Sequence, residues 1–181
     1  MSRTFDQSRF EEIARKARIT SIRMITEAKS GHPGGSLSEI EIVVSLYGHE
    51  MKHDPSDPVM PDRDRFVISK GHGIPGVYAV MAEFGYWNAE DTLTLRTAGS
   101  CFQGHPDRVR LKGIEASTGS LGQGLSIAVG YAMASKLEDD AYRVYCLIGD
   151  GESQEGQIWE AAMSAPKFAL DNLVCILDYN K

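Results

Sequence analysis

The sequence contains little that would tie it to a membrane, to nucleic acid or to an oxidising compartment. Its three cysteines are odd in number and widely spaced, so we expect no disulfide framework and a reducing, cytoplasmic location. It contains neither an apolar signal core nor a run approaching the roughly 18 to 20 apolar residues that span a bilayer. The net charge is −6, without a basic block. We therefore expect neither nucleic acid nor a membrane as a partner.

Apolar residues at helical spacing predict most of the helices. They recur over residues 6–29 and again over 40–46, with a Gly- and Pro-rich turn between the two segments. Ser36 or Ser38 is expected to cap the second helix. A further helix over residues 121–137 is apolar on nearly every side, which predicts that it is buried in the core or in a subunit interface.

Three short apolar segments, at residues 65–69, 144–148 and 173–177, are bounded by turn residues and predict strands. A helix over residues 155–168 separates the last two, and this order is typical of a right-handed crossover in a parallel sheet. The predicted fold is therefore α/β, with a doubly wound parallel sheet. The length of 181 residues favours a single domain over residues 1–181.

A glycine-flanked aspartate, Gly149-Asp150-Gly151, directly follows the second predicted strand. Ligands of open α/β sheets bind at the carboxyl ends of strands, where glycines let backbone N–H groups approach an anion. Asp150 offers a hard carboxylate oxygen, and Asn180 follows the next strand, so both should meet at one edge of the sheet. Gly-Asp-Gly alone is more typical of a simple turn. The spacing to Asn180 favours an incomplete Mg²⁺ or Ca²⁺ shell facing a diphosphate.

Four of the five histidines directly follow a glycine, where chance would give about half a pair. His32, His72 and His105 lie in predicted loops, and an imidazole can donate or accept a proton near neutral pH. A single loop histidine is usually a surface or capping residue, but three together favour a functional site. His49 and His53 are assigned to the surface of a helix and of a loop.

Two further segments allow two interpretations each. The Gly-rich turn at residues 118–124 serves either tight helix packing or the passage of a ligand along the backbone. Glu155 either stabilises the N-terminal end of a helix through its dipole or takes part in the site. Trp159 is predicted to lie in the core.

Together these segments resemble the transketolase family of thiamine diphosphate enzymes, over essentially the whole chain. The resemblance implies the thiamine diphosphate-binding fold of the diphosphate-binding type, with Mg²⁺ or Ca²⁺ held by Asp150 and Asn180. The motifs that carry it are Ser-Gly-His-Pro-Gly-Gly at 30–35, Lys-Gly-His-Gly at 70–73, Gly-His-Pro at 104–106, Gly-Asp-Gly-Glu-Ser-Gln-Glu-Gly at 149–156 and Leu-Asp-Tyr-Asn-Lys at 177–181.

The resemblance also implies roles for individual residues. His72 would contact the cofactor diphosphate, while His32 and His105 would bind sugar hydroxyls and help to move protons. Glu155 would lie near the subunit interface, linked to the catalytic carboxylate of a partner. The remaining cofactor contacts would be made by Gly119, Ser120, Leu121, Gly149 and Gly151.

The implied reaction is transfer of a two-carbon ketol unit from a ketose, phosphorylated or otherwise anionic, to an aldose. In this family the glutamate that activates the cofactor belongs to a pyrimidine-binding domain, which this chain lacks. Ser120 stands where many single-chain transketolases have a proline, and residues 35–38 also resemble the forms divided between two polypeptides. We therefore expect a chain that is inactive alone and completed by a C-terminal transketolase subunit.

The expected assembly is a heterotetramer that contains a dimer of this chain. In the family a third metal ligand is a backbone carbonyl, which would belong to position 182, so we expect the domain to be incomplete at its C-terminal end. Two alternatives stay open. One is another thiamine diphosphate enzyme, of the 2-oxo acid dehydrogenase or deoxyxylulose phosphate synthase type, although the His-Pro-Gly-Gly and Gly-His-Pro elements favour transketolase. The other is a non-catalytic scaffold subunit, against which the intact Asp150, Asn180 and loop histidines argue.

Overall fold

The computed structural model of the chain describes residues 5–138 and 142–180. The chain divides into two compact units, one formed by residues 1–58 and 72–104 and the other by residues 59–71 and 105–181. The first unit is helical, and the second contains the sheet. The single domain over residues 1–181 stays a prediction. No helix in the described ranges is long and apolar enough to cross a membrane.

The longest element of the first unit is helix α1 (Gln7–Ala28), which confirms the helix predicted over residues 6–29. The Asp6 carboxylate caps it by accepting the N–H of Arg9 at 3.0 Å. The helix ends at Lys29, whose left-handed backbone (φ 49°) stops the helical path. Its apolar side packs against α4 (Ile74–Glu83), so the helical period of the sequence becomes the core of this unit.

Helix α3 (Ile40–Ser45) confirms the helix predicted over residues 40–46, and an additional short helix, α2 (Pro33–Leu37), begins in the segment predicted to be a turn. The predicted serine cap is wrong, because neither helix has a side-chain cap. Ser36 lies inside α2, and its hydroxyl donates to the carbonyl of His32 at 2.9 Å. A proline in the first helical turn is already compatible with a helix start, so α2 begins before either serine.

His53 is not the surface residue that the sequence predicts. Its ring Nε2 lies 2.6 Å from the carbonyl oxygen of Tyr47, and its Nδ1 lies 3.1 Å from the hydroxyl of Tyr86. His49 sits in the π-helical turn Leu46–Glu50, with about a third of its side chain exposed (32%). His53 is half-buried, and the rings of Tyr47 and Tyr86 beside it cover part of its side chain.

The second unit is built on three parallel strands, β1 (Arg65–Ile68), β2 (Val144–Gly149) and β3 (Leu173–Asp178), in that order across the sheet. Each lies within one residue of its predicted bounds. The central strand β2 is buried from Val144 to Ile148, as expected for a parallel strand covered on both faces. The predicted α/β fold with a doubly wound parallel sheet is confirmed.

Helices α5 (Gln123–Leu137) and α6 (Gly156–Lys167) connect the strands and pack against each other. Helix α5 also packs on all three strands. Within the described chain only part of α5 is buried: Gly130 is exposed, and Leu137 is 83% exposed. Burial in the core is confirmed for one stripe of the helix, and burial of the rest in a subunit interface stays a prediction. One stripe of small and aliphatic residues is enough to cover the sheet, and it consists of Gly124, Leu125, Ala128, Val129, Ala132 and Ser135.

Trp159 does not lie in the core, contrary to the sequence prediction. It is 61% exposed, and its indole N–H donates to the carbonyl of Ser153 at 2.8 Å. Helix α6 instead buries Ile158 and Ala161, which sit three residues apart on one stripe and belong to the same core cluster as residues of α5 and β2. Packing therefore decides which side of α6 is buried, and the large apolar side chain of Trp159 lies outside that side.

Candidate functional site

The Gly149-Asp150-Gly151 turn leaves the carboxyl end of β2 beside the end of β3. Gly149 is opposite Asp178 in the register of the sheet, and the N–H of Asp150 donates to the carbonyl of Asp178 at 3.2 Å. Asn180 follows two residues later and is exposed, as is Gly151. The structure therefore brings Asp150 and the segment of Asn180 to the same edge of the sheet. Lys181, the last residue of that motif, lies outside the described residues.

Two aspartates lie at this edge, and they differ in charge balance. Asp178 is 2.5 Å from the ammonium group of Lys70, and both side chains are almost fully buried. Asp150 is half-buried and accepts the N–H of Gly151 at 2.8 Å. Because a buried ammonium group neutralises Asp178, Asp150 is the carboxylate that offers negative charge to a cation.

The turn has open space at Gly151 and ordinary contacts at Gly149. A methyl group at Gly151 would meet no atom of residues 5–138 or 142–180 within 4 Å, and one at Gly149 would make ordinary contact with Lys70 at 3.6 Å. The packing of the described chain therefore requires glycine at neither position. A bound group can approach the backbone closely in this space, which fits a diphosphate.

The backbone N–H groups of the turn have acceptors within the chain, which corrects the expectation that they face an anion. The N–H of Gly149 donates to the carboxylate of Glu152 at 3.0 Å, and that of Asp150 to the Asp178 carbonyl. The N–H of Gly151 donates to Asp150 itself. The turn can therefore offer a diphosphate room near the backbone and a cation ligand in Asp150. Its N–H groups are already bonded within the chain.

Glu152 is a residue of this edge that the sequence reasoning missed. Its side chain is buried, with an exposure of 2%. Besides Gly149, its carboxylate accepts the hydroxyl of Ser69 at 2.5 Å and the N–H of Gly122 at 2.9 Å. A glutamate just after a Gly-Asp-Gly turn normally indicates a solvated position, so the sequence carries no signal for this burial beyond its place in the motif.

The Gly-rich turn at residues 118–124 contacts two of the residues predicted to act in catalysis. A methyl group at Gly119 would lie 3.0 Å from the ring of His105. Gly122 has φ 87°, and a methyl group there would lie 2.9 Å from Cβ of Glu155. This turn thus lies against both His105 and Glu155. Ser120 and Leu121, between the two glycines, are exposed.

The same turn is packed tightly against the end of β1. The hydroxyl of Thr118 donates to the carbonyl of Ile68 at 2.5 Å. A methyl group at Gly124 would lie 2.5 Å from Ser69. The interpretation of these glycines as packing residues is therefore confirmed for Gly124, and it holds alongside the contacts with His105 and Glu155.

The first unit holds the remaining two histidines of the predicted site, and they lie together. The rings of His32 and His72 are 5.2 Å apart at an interplanar angle of 62°. His72 sits in the short 3-10 turn Gly71–Gly73, which leads into α4. A methyl group at Gly35 would come within 3.0 Å of Nε2 of His72, so the glycine is needed where this ring lies. His105, Glu155, Asp150 and Asn180 belong to the second unit.

Cysteine chemistry is disfavoured near this edge of the sheet. Burial raises the pKa of the Cys146 thiol well above its ordinary value, and the nearby Cys175 and Glu152 act in the same direction. Burial, followed by the charge of Glu152, also raises the pKa of Cys175. A thiol whose pKa is raised carries little thiolate at neutral pH, so neither cysteine is a good nucleophile or metal ligand.

The described residues contain no group of three or more His, Cys, Asp or Glu side chains arranged to hold a metal ion. Asp150 and Asn180 supply hard oxygens instead. Mg²⁺ and Ca²⁺ prefer such ligands, and Mg²⁺ is commonly bound by one or two carboxylates together with phosphate oxygens. The residues present therefore fit a cation that shares its ligands with a diphosphate.

Residues 10–181 match the family model for the thiamine diphosphate-binding domain of transketolase, which covers nearly the whole chain. The chain belongs to the transketolase family. Its resemblance to the diphosphate-binding part of a transketolase is thereby confirmed, and so is thiamine diphosphate as the cofactor that this type of domain binds.

Similar proteins include both divided and single-chain transketolases. The chain is 51% identical over 151 residues to the 6-deoxy-6-sulfo-D-fructose transketolase subunit SqwG of a Clostridium species, covering 83% of this chain and 55% of that protein. It is 44% identical over 166 residues to an apulose-4-phosphate transketolase subunit of Phocaeicola vulgatus, covering 92% and 59%. The structure of transketolase from Leishmania mexicana matches with a TM-score of 0.88 and 35% identity, covering 94% and 27%.

The transketolase domain spans between about a quarter and three fifths of the length of these relatives, with 27% for a bovine transketolase-like protein and 59% for the Phocaeicola subunit. The chain covers more than half of each of the two relatives named as subunits.

Proposed function

We propose that this chain is the diphosphate-binding subunit of a two-polypeptide transketolase, which transfers a two-carbon ketol unit from a ketose to an aldose. The observation that carries the proposal is the arrangement of Asp150 and Asn180 after neighbouring parallel strands, in a domain of the transketolase family. Two relatives named as transketolase subunits support the division between polypeptides.

In this proposal Asp150 and Asn180 hold Mg²⁺, or Ca²⁺ in its place, and the cation binds the cofactor diphosphate. The open space at Gly151 lets the diphosphate approach the backbone. His72 contacts the diphosphate, and Gly119, Ser120 and Leu121 pass along the centre of the cofactor. Thiamine diphosphate, when bound, supplies the electron sink for cleavage of a carbon–carbon bond.

The proton transfers fall to the histidines. His32 and His105 are proposed to bind hydroxyl groups of the sugar and to donate or accept a proton there, since an imidazole titrates near neutral pH. Glu155 is proposed to lie near the subunit interface and to interact with a carboxylate of the partner. Its exposure leaves it accessible to such a group.

The partner is proposed to be a C-terminal transketolase subunit that carries the pyrimidine-binding domain, within a heterotetramer containing a dimer of this chain. The substrates are proposed to be small sugars, with an anionic ketose as the donor. The names of the two subunit relatives mention a sulfonated and a phosphorylated sugar, which supports an anionic donor. The reaction is proposed to take place in the cytoplasm.

A reconstitution assay tests this function. The chain is mixed with thiamine diphosphate, Mg²⁺, a panel of anionic ketoses and aldose acceptors, with and without the C-terminal subunit encoded in the same genome. We expect ketol transfer only when both polypeptides are present. Substantial turnover by the chain alone would contradict the proposed division of the active site.

Calorimetry separates the proposed enzyme subunit from a non-catalytic scaffold of the same fold. The cofactor is titrated into the assembled protein with and without Mg²⁺. The proposal expects binding that depends on the metal, whereas a scaffold that has lost its site would show none.

A further inference from the structure

The carboxylate of Glu152 joins three segments at the carboxyl edge of the sheet. Ser69 follows β1, Gly122 precedes the first residue of α5, and Gly149 ends β2. Oε1 of Glu152 accepts the Ser69 hydroxyl and the Gly122 N–H, and Oε2 accepts the Gly149 N–H. Three connections that are far apart in the sequence therefore meet on one side chain.

Burial makes these hydrogen bonds necessary. Removing a carboxylate from water costs free energy unless hydrogen bonds replace its hydration, and Glu152 is only 2% exposed. Its three donors supply that replacement, and charge-assisted hydrogen bonds are stronger than neutral ones. All three neighbouring groups donate, so the side chain at position 152 must accept three hydrogen bonds. A glutamine has one acceptor oxygen, and its NH₂ group would face one of the donors.

Two of these hydrogen bonds connect Glu152 to the two turns of the proposed cofactor site. Gly122 belongs to the turn that lies against His105 and Glu155, and Gly149 begins the turn that carries Asp150. Fixing both N–H groups to one carboxylate fixes the two turns relative to each other. The buried pair of Lys70 and Asp178 acts elsewhere, between the ends of β1 and β3.

We infer that Glu152 is a positioning residue for cofactor binding: it holds the turn at residues 118–124 and the turn at residues 149–151 at the separation at which both face one thiamine diphosphate. This inference rests on the proposed function and assigns Glu152 no contact with the cofactor. Its carboxylate is needed as the acceptor of the three hydrogen bonds.

The first test compares Glu152→Gln with Ser69→Ala in the assembled protein. Calorimetry with thiamine diphosphate and Mg²⁺ should show binding weakened by about tenfold or more in Glu152→Gln, in the range known for groups that orient ligands. Ser69→Ala removes one donor but keeps both N–H bonds, so it should change the affinity by less than about threefold. With saturating cofactor, Glu152→Gln should recover most of its kcat, because the site is displaced and not removed.

Each outcome of the titration has a meaning. If the wild-type protein fails to bind the cofactor, the proposed function fails and this inference fails with it. If the wild type binds and Glu152→Gln binds equally well, or more tightly because a negative charge is gone, the positioning role alone is overturned. Equal weakening in Glu152→Gln and Ser69→Ala would also overturn it, because the two N–H bonds would then not be decisive.

A second measurement keeps the inference testable if Glu152→Gln does not fold. Amide hydrogen exchange of the wild-type protein without cofactor should show slow exchange at Gly122 and Gly149, because both N–H groups are already bonded. The N–H of Gly151 is bonded to the Asp150 side chain at an exposed site, so it should exchange faster and serves as the internal reference. Free exchange at Gly122 and Gly149 that becomes slow only after cofactor is added would assign these donors to the cofactor and overturn the inference.

Discussion

Two regions of the molecule collect the kind of polar side chains that active sites use, but the protein employs them differently. In the first unit, His53 lies near Tyr47 and Tyr86, beside a cavity of about 470 Å³. Both of its ring nitrogens contact oxygen atoms of the protein. A histidine next to a cavity is therefore, in this case, part of the internal structure.

At the carboxyl edge of the sheet the polar groups form two layers. The inner layer, with Glu152 and the pair of Lys70 and Asp178, is buried and bonded within the chain. The outer layer is half-buried at Asp150 and exposed at Asn180. His53, in contrast, has both ring nitrogens in contact with protein oxygen atoms. The comparison teaches that a binding site is recognised by polar groups that stay accessible once the buried polar groups have bonded to each other.

The largest effect on stability is expected from Lys70→Met, which tests the inner layer. The substitution removes the ammonium group that pairs with the buried carboxylate of Asp178. Breaking a buried ion pair in this way typically lowers the free energy of unfolding by about 3–5 kcal/mol. Urea denaturation at neutral pH measures this loss. The matched control is Lys136→Met at the exposed pair with Asp171, where a much smaller loss is expected because solvent screens the pair. Equal losses in both variants would show that the buried pair of Lys70 and Asp178 contributes no more to stability than an exposed ion pair.

Asp150→Ala tests the outer layer and should affect binding more than stability. Loss of the charged cation ligand is expected to weaken metal-dependent binding of thiamine diphosphate by about 100-fold, or about 2.7 kcal/mol. Calorimetry with and without Mg²⁺ measures it. Asp171→Ala, at an exposed aspartate of the same unit, is the control and should bind the cofactor normally. Unchanged binding in Asp150→Ala would remove this residue from the metal site.

The strands and their carboxyl edge were predictable because each rests on local patterns. A short apolar segment between turn residues predicts a strand, and parallel neighbours place their carboxyl ends at one edge, so the arrangement of Asp150 and Asn180 followed from spacing alone. The helix over residues 6–29 followed from the helical period in the same way.

The remaining features depend on contacts between distant segments, which the sequence does not display. Trp159 is apolar and sits on a predicted helix, but the packing of α6 buries Ile158 instead. Glu152 is charged, and its burial depends on donors 30 and 83 residues away in the chain. His53 has ordinary loop neighbours in sequence, but it is half-buried and contacts aromatic rings of Tyr47 and Tyr86. Each of these is a tertiary effect that overrides local propensity.

His53→Ala and His72→Ala test the two histidine environments directly. His53→Ala should lower the free energy of unfolding by about 1–3 kcal/mol, because it removes the ring contacts with the Tyr86 hydroxyl and the Tyr47 carbonyl. It should leave cofactor affinity unchanged. His72→Ala is expected to do the reverse, with binding weakened by about tenfold and a smaller change in stability. Urea denaturation and calorimetry on both variants measure this, and a cofactor defect in His53→Ala would contradict the distinction between the two regions.

The smallest effect on stability is expected from Gly151→Ala in the outer layer. The added methyl group meets open space, and the backbone φ of −61° is favourable for alanine. The free energy of unfolding should therefore fall by at most about 0.5 kcal/mol. Cofactor affinity should nevertheless fall, because the methyl group occupies the space assigned to the diphosphate. Gly122→Ala is the matched control: its φ of 87° and the contact with Glu155 predict a loss of about 1–3 kcal/mol. If Gly151→Ala bound the cofactor as well as the wild type, the open space at this turn would belong to the solvent and not to the ligand.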